Sequence, residues 1–398
     1  MRPPSKWGRR SKRCLTLFCL GFAIILVIVL IGVFPIGWIL FPPRLPSPHP
    51  PYPHQEPAVP ADPHPDFTVD IYSDAAIGIY LWQHIFKAST TSKLGGSLLY
   101  GFHKVDGLSF RFRTGPALAA TETITEPHVV LVVNGRTEGK VLRARQWLEV
   151  TARSPLVENV GLVLLGNEQC NNEWLLWYLE SSKYKIRVVF IVYDSTLVDG
   201  KRVFQWPLGV ATYRGFPLLE LQTGDIVGQR RYLCHFMGTV YRNNSRMQLV
   251  KALEGSKFTE KCYIKTRYEW PESETEDSAS DYLKTLETSE SVLSPLGMNA
   301  ECYRIYEALS VGALPIVEDQ KSPGMCDSPY RLLKEFNVPA YFVADWDELE
   351  TTLEYLASLS EEELLHQRHK IIRWYAKFLQ QMRDRFVNVI KQTFIIQK

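Results

Sequence analysis

The sequence predicts an α/β protein of two doubly wound domains facing a cleft, preceded by one transmembrane helix and a proline-rich stem. Three observations carry this expectation. Short β-branched apolar runs ending in polar residues, such as residues 128–136 (HVVLVVNGR), alternate with segments whose apolar residues fall at helical spacing. The alternation occurs twice, on either side of residues 205–217, which are punctuated by Pro207, Gly209, Gly215 and Pro217. A chain of 398 residues also exceeds one ordinary hydrophobic core and suits two domains.

At the N-terminus, Arg2, Lys6, Arg9, Arg10, Lys12 and Arg13 precede 21 uncharged residues, 14–34, with a weaker apolar extension to residue 41. That length spans a bilayer as a helix, and the charge asymmetry places residues 1–13 in the cytosol and everything from about residue 42 onward in the lumen. A cleaved signal peptide would carry an apolar core of only ~7–15 residues and a small-residue cleavage site, so an uncleaved anchor over 14–41 fits better. Residues 42–65 hold 11 prolines, too many to pack a core, and residues 42–66 read as an extended stem. This is the layout of a single-pass type II membrane protein, one that residents of the Golgi membrane share with many other type II proteins.

The formal net charge is +2 with 22% charged residues, and no basic patch is interleaved with aromatics, so a nucleic-acid binder is excluded. Five cysteines lie in the lumenal part, Cys170, Cys234, Cys262, Cys302 and Cys326. An odd number leaves at least one thiol outside intrachain pairing, and the spacing leaves the pairing open. Asn243-Asn244-Ser245 is an N-glycosylation acceptor.

The first domain, residues 67–228, reads as strands over 128–136, 160–168 and 186–195, with a helix over 140–152. The second, residues 229–398, reads as strands over 231–241, 261–266, 291–295, 314–318 and 340–344. Its helices fall over 245–253, 279–287, 300–311, 329–336 and 347–359, and a long amphipathic helix closes the chain over 361–394. The acidic run 272–277 reads as a solvated loop. Ligands of such sheets bind beyond the C-terminal ends of the strands.

Residues 291–319 (SVLSPLGMNAECYRIYEALSVGALPIVED) hold the sharpest pattern: strand, Pro-x-Gly loop, helix, Gly, strand. Gly297 admits close backbone approach, Asn299 is a natural N-cap, and Glu301 then falls in the first turn. A helix that begins near Asn299 and points at the cleft suits a pyrophosphate. Arg304 and Glu307 are neighbours on its surface. The guanidinium can fork phosphate oxygens and the carboxylate can accept from ribose hydroxyls.

This segment resembles the nucleotide-sugar-binding core of exostosin-type GT-B glycosyltransferases, and Asp281-Tyr282-Leu283 and Ser289-Glu290 fit the same pattern. Residues 75–86 (AAIGIYLWQHIF), 164–174 (LLGNEQCNNEW), 203–214 (VFQWPLGVATYR) and 301–308 (ECYRIYEA) look like the xylosyl-transferring branch, over roughly residue 70 to the C-terminus. The resemblance implies a GT-B fold and transfer of xylose from UDP-xylose to ribitol 5-phosphate on the O-mannosyl glycan of α-dystroglycan. The Golgi enzymes fukutin and fukutin-related protein are the implied partners. An α-linked donor giving a β product requires inversion, hence a base, for which Glu168 and Asp194 at strand ends are the candidates. Arg136 and Arg214 are candidate contacts for the acceptor phosphate. Asp345-Trp346-Asp347 superficially matches a metal-binding DxD but reads better as a helix cap, so no obligatory metal is expected. Two alternatives stay open: another exostosin-like UDP-sugar transferase, and a catalytically silent lectin or scaffold.

Overall fold

Runs in which nearly every residue is Val, Ile, Leu or Phe have no polar face, and they fold as strands buried on both sides. The computed structural model describes residues 67–396 apart from 120–123, 227, 243, 270–273 and 322–326. The described residues lie within one compact unit, Pro60–Lys398. Its first half begins with β1 (Thr68–Ser73) and α1 (Ile77–Ile79), which continues as a π-helical stretch Tyr80–Ile85. There follow β2 (Thr91–Lys93), β3 (Leu98–Val105), β4 (Leu108–Thr114) and β5 (His128–Asn134). Then come α2 (Glu138–Arg153), β6 (Asn159–Leu165), α3 (Leu176–Glu180), β7 (Ile186–Val192) and β8 (Val203–Trp206). The sheet order is β2-β3-β4-β1-β5-β6-β7-β8, parallel from β4 to β8, with β2 and β3 added antiparallel.

The second half alternates strictly. It comprises β9 (Tyr232–Thr239), α4 (Ser245–Glu254), β10 (Cys262–Arg267), α5 (Glu276–Glu287) and β11 (Ser289–Ser294). It continues with α6 (Tyr303–Ser310), β12 (Leu314–Glu318), α7 (Arg331–Glu335), β13 (Tyr341–Val343) and α8 (Leu349–Ser358). All its strands are parallel, in the order β10-β9-β11-β12-β13. The arrangement is GT-B-like, as the sequence predicts. Cys234 and Cys262 face each other in the β9–β10 register and are disulfide-bonded; Cys170 is also in a disulfide, and Cys302 is free.

The last helix, α9 (Glu361–Lys391), starts at a capping box between Ser360 and Glu363 and ends in a π-helical turn, Gln392–Ile396. It serves both halves. Near its start, Gly312 adopts φ 70°, and a Cβ there would stand 3.0 Å from the Ile372 side chain, so only glycine admits the helix this close. Phe378 then packs on Phe336 and Tyr306, while Phe386, two turns on, packs on Phe86, Phe190 and Trp206 under the first sheet.

Three expectations change. The first sheet has five more strands than the sequence shows, β1 to β4 and β8. The extension β2 to β4 alternates polar and apolar residues, as in LSFRFRT, which is a weaker signal than a continuous apolar run. The helix expected from residue 300 begins at Tyr303. The run 272–277 is no loop throughout: Glu276 and Asp277 form the first turn of α5, capped by Thr275. The anchor and stem, residues 14–66, and the acceptor Asn243 lie outside the described residues. Among those described, no helix is long and apolar enough to cross a membrane.

Arg368 of α9 forks Glu290 of β11, with 3% and 7% of the side chains exposed, and gives a further bond to the Gly228 carbonyl at 2.7 Å. Glu290→Ala strands that guanidinium, so we predict a loss of about 3–5 kcal/mol in urea unfolding, and a smaller loss when Arg368→Met is added.

Candidate functional site

At the C-terminal ends of β9 and β10, four arginines converge on a cavity of about 470 Å³. Arg246 comes from the first turn of α4, Arg267 from the end of β10, Arg304 from the first turn of α6 and Arg214 from the segment joining the halves. Glu274 neutralises part of the cluster, binding Arg267 at 2.7 and 3.0 Å and also pairing with Arg214. Arg246 and Arg304 have no carboxylate bonded to them among the described residues. Each donates to a strand-end carbonyl, Arg246 to Thr239 at 2.8 Å and Arg304 to Met237 at 3.1 Å, and each keeps a buried Nε with no acceptor. Burial and the adjacent Arg304 push the Arg246 pKa down to about 10. Two desolvated guanidiniums side by side are stabilised by any multivalent anion that fits between them.

The cavity continues into an apolar wall of Phe216, Pro217, Met237, Tyr282, Leu283 and Tyr303. Glu307 stands where the two parts meet. Its carboxylate accepts from the Ala211 N–H at 3.1 Å and from the Tyr282 hydroxyl at 2.5 Å, and burial raises its pKa. Each oxygen retains a further lone pair, so a hydroxyl-bearing ligand can still be received. Arginine cluster, carboxylate and apolar wall together match the phosphate, sugar and base portions of a nucleoside diphosphate.

Of the donor residues expected from sequence, Arg304 and Glu307 line this cavity, as does Arg214. Gly297, Asn299 and Glu301 do not. Asn299 is not the helix cap. Its amide donates across to the Glu168 carbonyl at 2.7 Å and its oxygen accepts from the Glu301 N–H, which ties down the loop and leaves Cys302, in extended conformation, as N-cap. Gly297 matters through its missing side chain, since a Cβ would lie 2.9 Å from the Arg246 guanidinium. Glu301 lies in the loop, 3% exposed. One of its oxygens accepts from the Leu208 N–H at 3.2 Å and from the Tyr306 hydroxyl, while the other has no partner.

Glu168, just beyond β6, accepts from Arg136 at 2.6 Å and keeps 22% of its side chain exposed. Tyr303 joins this pair to the cavity: it lines the cavity and feels the charges of both Arg136 and Glu168. Asp194 is buried and held by Arg331 at 3.0 Å and the Ser328 N–H at 2.9 Å, both from the second half. Asp345 accepts from the Asp347 N–H and caps the 3₁₀ turn Trp346–Glu348.

Arg246, Arg267, Glu274 and Tyr303 line the cavity without being among the site residues expected from the sequence, and Tyr282 is marked only through the family pattern. Arg246 had a findable signal. It follows a strand and the true N-cap Asn244, which accepts from Met247 N–H, the same strand–cap–helix pattern sought at Asn299. Arg267 and Glu274 lacked one, because they meet only through the sheet.

We predict that Arg246→Ala and Arg304→Ala each weaken UDP binding about 10- to 100-fold, read as a reduced rise of Tm with UDP. A second prediction concerns pH. Burial, with the nearby Asp194 charge, pushes the Glu301 pKa up to about 7 from an ordinary 4.5. The folded state therefore holds the proton more tightly, and the stability this confers is complete below pH 4.5 and lost as pH rises through 7. The loss amounts to about 3 kcal/mol. Glu301→Gln, which keeps the acceptor for Leu208, should flatten the fall in unfolding free energy between pH 5 and 8.

Residues 69–207 match the family profile described as the RXYLT1 N-terminal domain, and residues 213–395 the one described as the RXYLT1 C-terminal domain. A Danio rerio protein named ribitol-5-phosphate xylosyltransferase 1 is 41% identical over 339 residues, covering 82% of this chain and 78% of that protein. The Homo sapiens protein of the same name is 36% identical over 343 residues, with 83% and 77% covered. Among solved structures, an α-glucosyltransferase in complex with UDP-glucose and DNA containing an abasic site superposes with a TM-score of 0.42. It is 12% identical and covers 81% of this chain and 99% of that one, a likeness too loose to transfer anything. Identity of 41% sustained across both halves is decisive: the chain belongs to the ribitol-5-phosphate xylosyltransferase family.

Proposed function

We propose that this protein transfers xylose from UDP-xylose, with inversion, to ribitol 5-phosphate on the O-mannosyl glycan of α-dystroglycan. The observation that carries the reading is the pair of uncompensated guanidiniums, Arg246 and Arg304, beside Glu307 in a cavity of nucleotide size. Family membership supports the choice of sugar and acceptor, since the relatives bear the name of that activity. The uncharged run 14–34 behind six basic residues supports a type II membrane anchor with a lumenal catalytic part, and the family resemblance supports a Golgi setting beside fukutin and fukutin-related protein.

As the bond between xylose and UDP breaks, negative charge grows on the β-phosphate, and Arg246 and Arg304 are positioned to stabilise it without reorganisation. No step in this scheme calls on a metal. The acceptor hydroxyl must lose its proton as it attacks. Of the two carboxylates considered, Glu168 suits this task, because it is partly exposed next to Tyr303 and its partner Arg136 can also meet the acceptor phosphate. Asp194 is occupied with Arg331 and Ser328 and holds the halves together.

Glu168→Gln is predicted to lower kcat by about 10²- to 10⁴-fold with little change in the UDP-induced Tm shift. Asp194→Asn should instead lower stability. A donor panel against a ribitol-phosphate acceptor tests the sugar: activity with UDP-glucuronic acid and none with UDP-xylose would overturn the choice. Absence of any UDP-induced shift would favour a lectin or scaffold.

A further inference from the structure

The antiparallel extension of the first sheet has two unlike faces. On one, Phe110 and Phe112 are buried beneath Trp82, Phe86 and Phe386. On the other stand Tyr100, Phe102, Arg111 and Arg113, with the register setting Tyr100 opposite Arg113 and Phe102 opposite Arg111. This second face is open: Phe102 is 66% exposed, and Lys93 of the edge strand lies 4.4 Å over the Tyr100 ring. Together they line a cavity of about 390 Å³.

A smaller cavity of about 300 Å³, lined by Ser73, Asp74, Thr114, Lys140 and Arg143, meets the end of β4 at Thr114, the residue after Arg113. Strands β1, β4 and β5 are parallel, so this junction lies on the same rim as Arg136, which follows β5. Basic side chains thus run from Arg136, Lys140 and Arg143 on that rim to Arg113, Arg111 and Lys93 on the sheet face, with Arg136 paired to Glu168 and Arg143 to Asp74. Buried Asp70 pairs with Arg111 and Arg113, and Glu126 with Arg111. That leaves Lys93, Lys104 and Lys140 without a carboxylate, and the buried Arg111 Nε without an acceptor, among the described residues.

We propose that this face is an exosite for the phosphate-bearing glycan chain that carries the reacting ribitol. Sugar rings lie flat on Tyr100 and Phe102, and phosphate oxygens meet Arg111, Arg113 and Lys93. A purely apolar partner would leave Lys93 and Lys104 unmatched, and a purely anionic one would make no use of the exposed Phe102 ring beside Tyr100. The inference rests on the acceptor reading above and extends it from the reacting group to the chain behind it.

The test uses the full chain in detergent and the double variant Lys93→Ala/Phe102→Ala, neither residue lying in the donor cavity. The probe is a labelled trisaccharide ending in ribitol 5-phosphate through a phosphodiester. Binding is read by fluorescence polarisation at two salt concentrations, and transfer is measured to the methyl phosphodiester of ribitol 5-phosphate. The expected result is salt-sensitive binding by wild type, about tenfold weaker in the variant, with transfer to the minimal acceptor unchanged. Equal binding by both proteins, no binding by wild type, or a matching loss on the minimal acceptor would overturn the exosite. If wild type transfers xylose to neither acceptor but the variant still loses probe binding, the activity reading fails and the exosite stands.

Discussion

Two glutamates of the second half, Glu301 and Glu307, reach over to the segment joining the halves and take the N–H groups of Leu208 and Ala211. A buried backbone donor must find an acceptor, and these two would otherwise lie unmet between two sheets. The remainder of the site depends on this contact. It sets the position of Tyr213, Arg214 and Phe216, which follow Ala211 and line the cavity. It also places Glu307, which lines the cavity, in direct bond with the chain that joins the halves. Asn299 to Glu168 and Asp194 to Arg331 and Ser328 complete the seam.

The electrostatics of the cavity follow from the same packing. Arg246 and Arg304 arrive from separate helices, yet each is anchored to a carbonyl at the end of β9, Thr239 or Met237. Anchoring to neutral carbonyls fixes direction while leaving charge uncompensated, whereas Arg267 and Arg214 share Glu274. A fully paired cluster would lose as much on ligand entry as it gained, because each arriving phosphate would have to displace a carboxylate. One paired and one open set gives a rigid cradle with residual positive potential.

Much of this was legible in the chain. The alternation of strands and helices, the long final helix and the strand β12 at 314–318 follow from periodicity alone. Arg304 and Glu307 could be placed on one helix face because spacing of three residues fixes that relation. The start of that helix could not, since Asn299 offers an ideal capping side chain and the choice to spend it on Glu168 is made by the other half of the molecule. The five extra strands were hidden for a related reason: a half-exposed alternating strand has weak local signal, and it becomes a strand through its neighbours in the sheet.

The sequence by itself determined the class of the fold, a basic residue and a carboxylate one helical turn apart, and a resemblance strong enough to name a family, all of which are local or near-local properties. Only the tertiary structure decided that Arg246, Arg267 and Arg304 form one cluster, that Glu274 belongs to it, and that Asp194 serves the seam while Glu168 stands beside Tyr303. These residues are tens of positions apart, and no periodicity encodes which strand ends a parallel sheet will bring side by side.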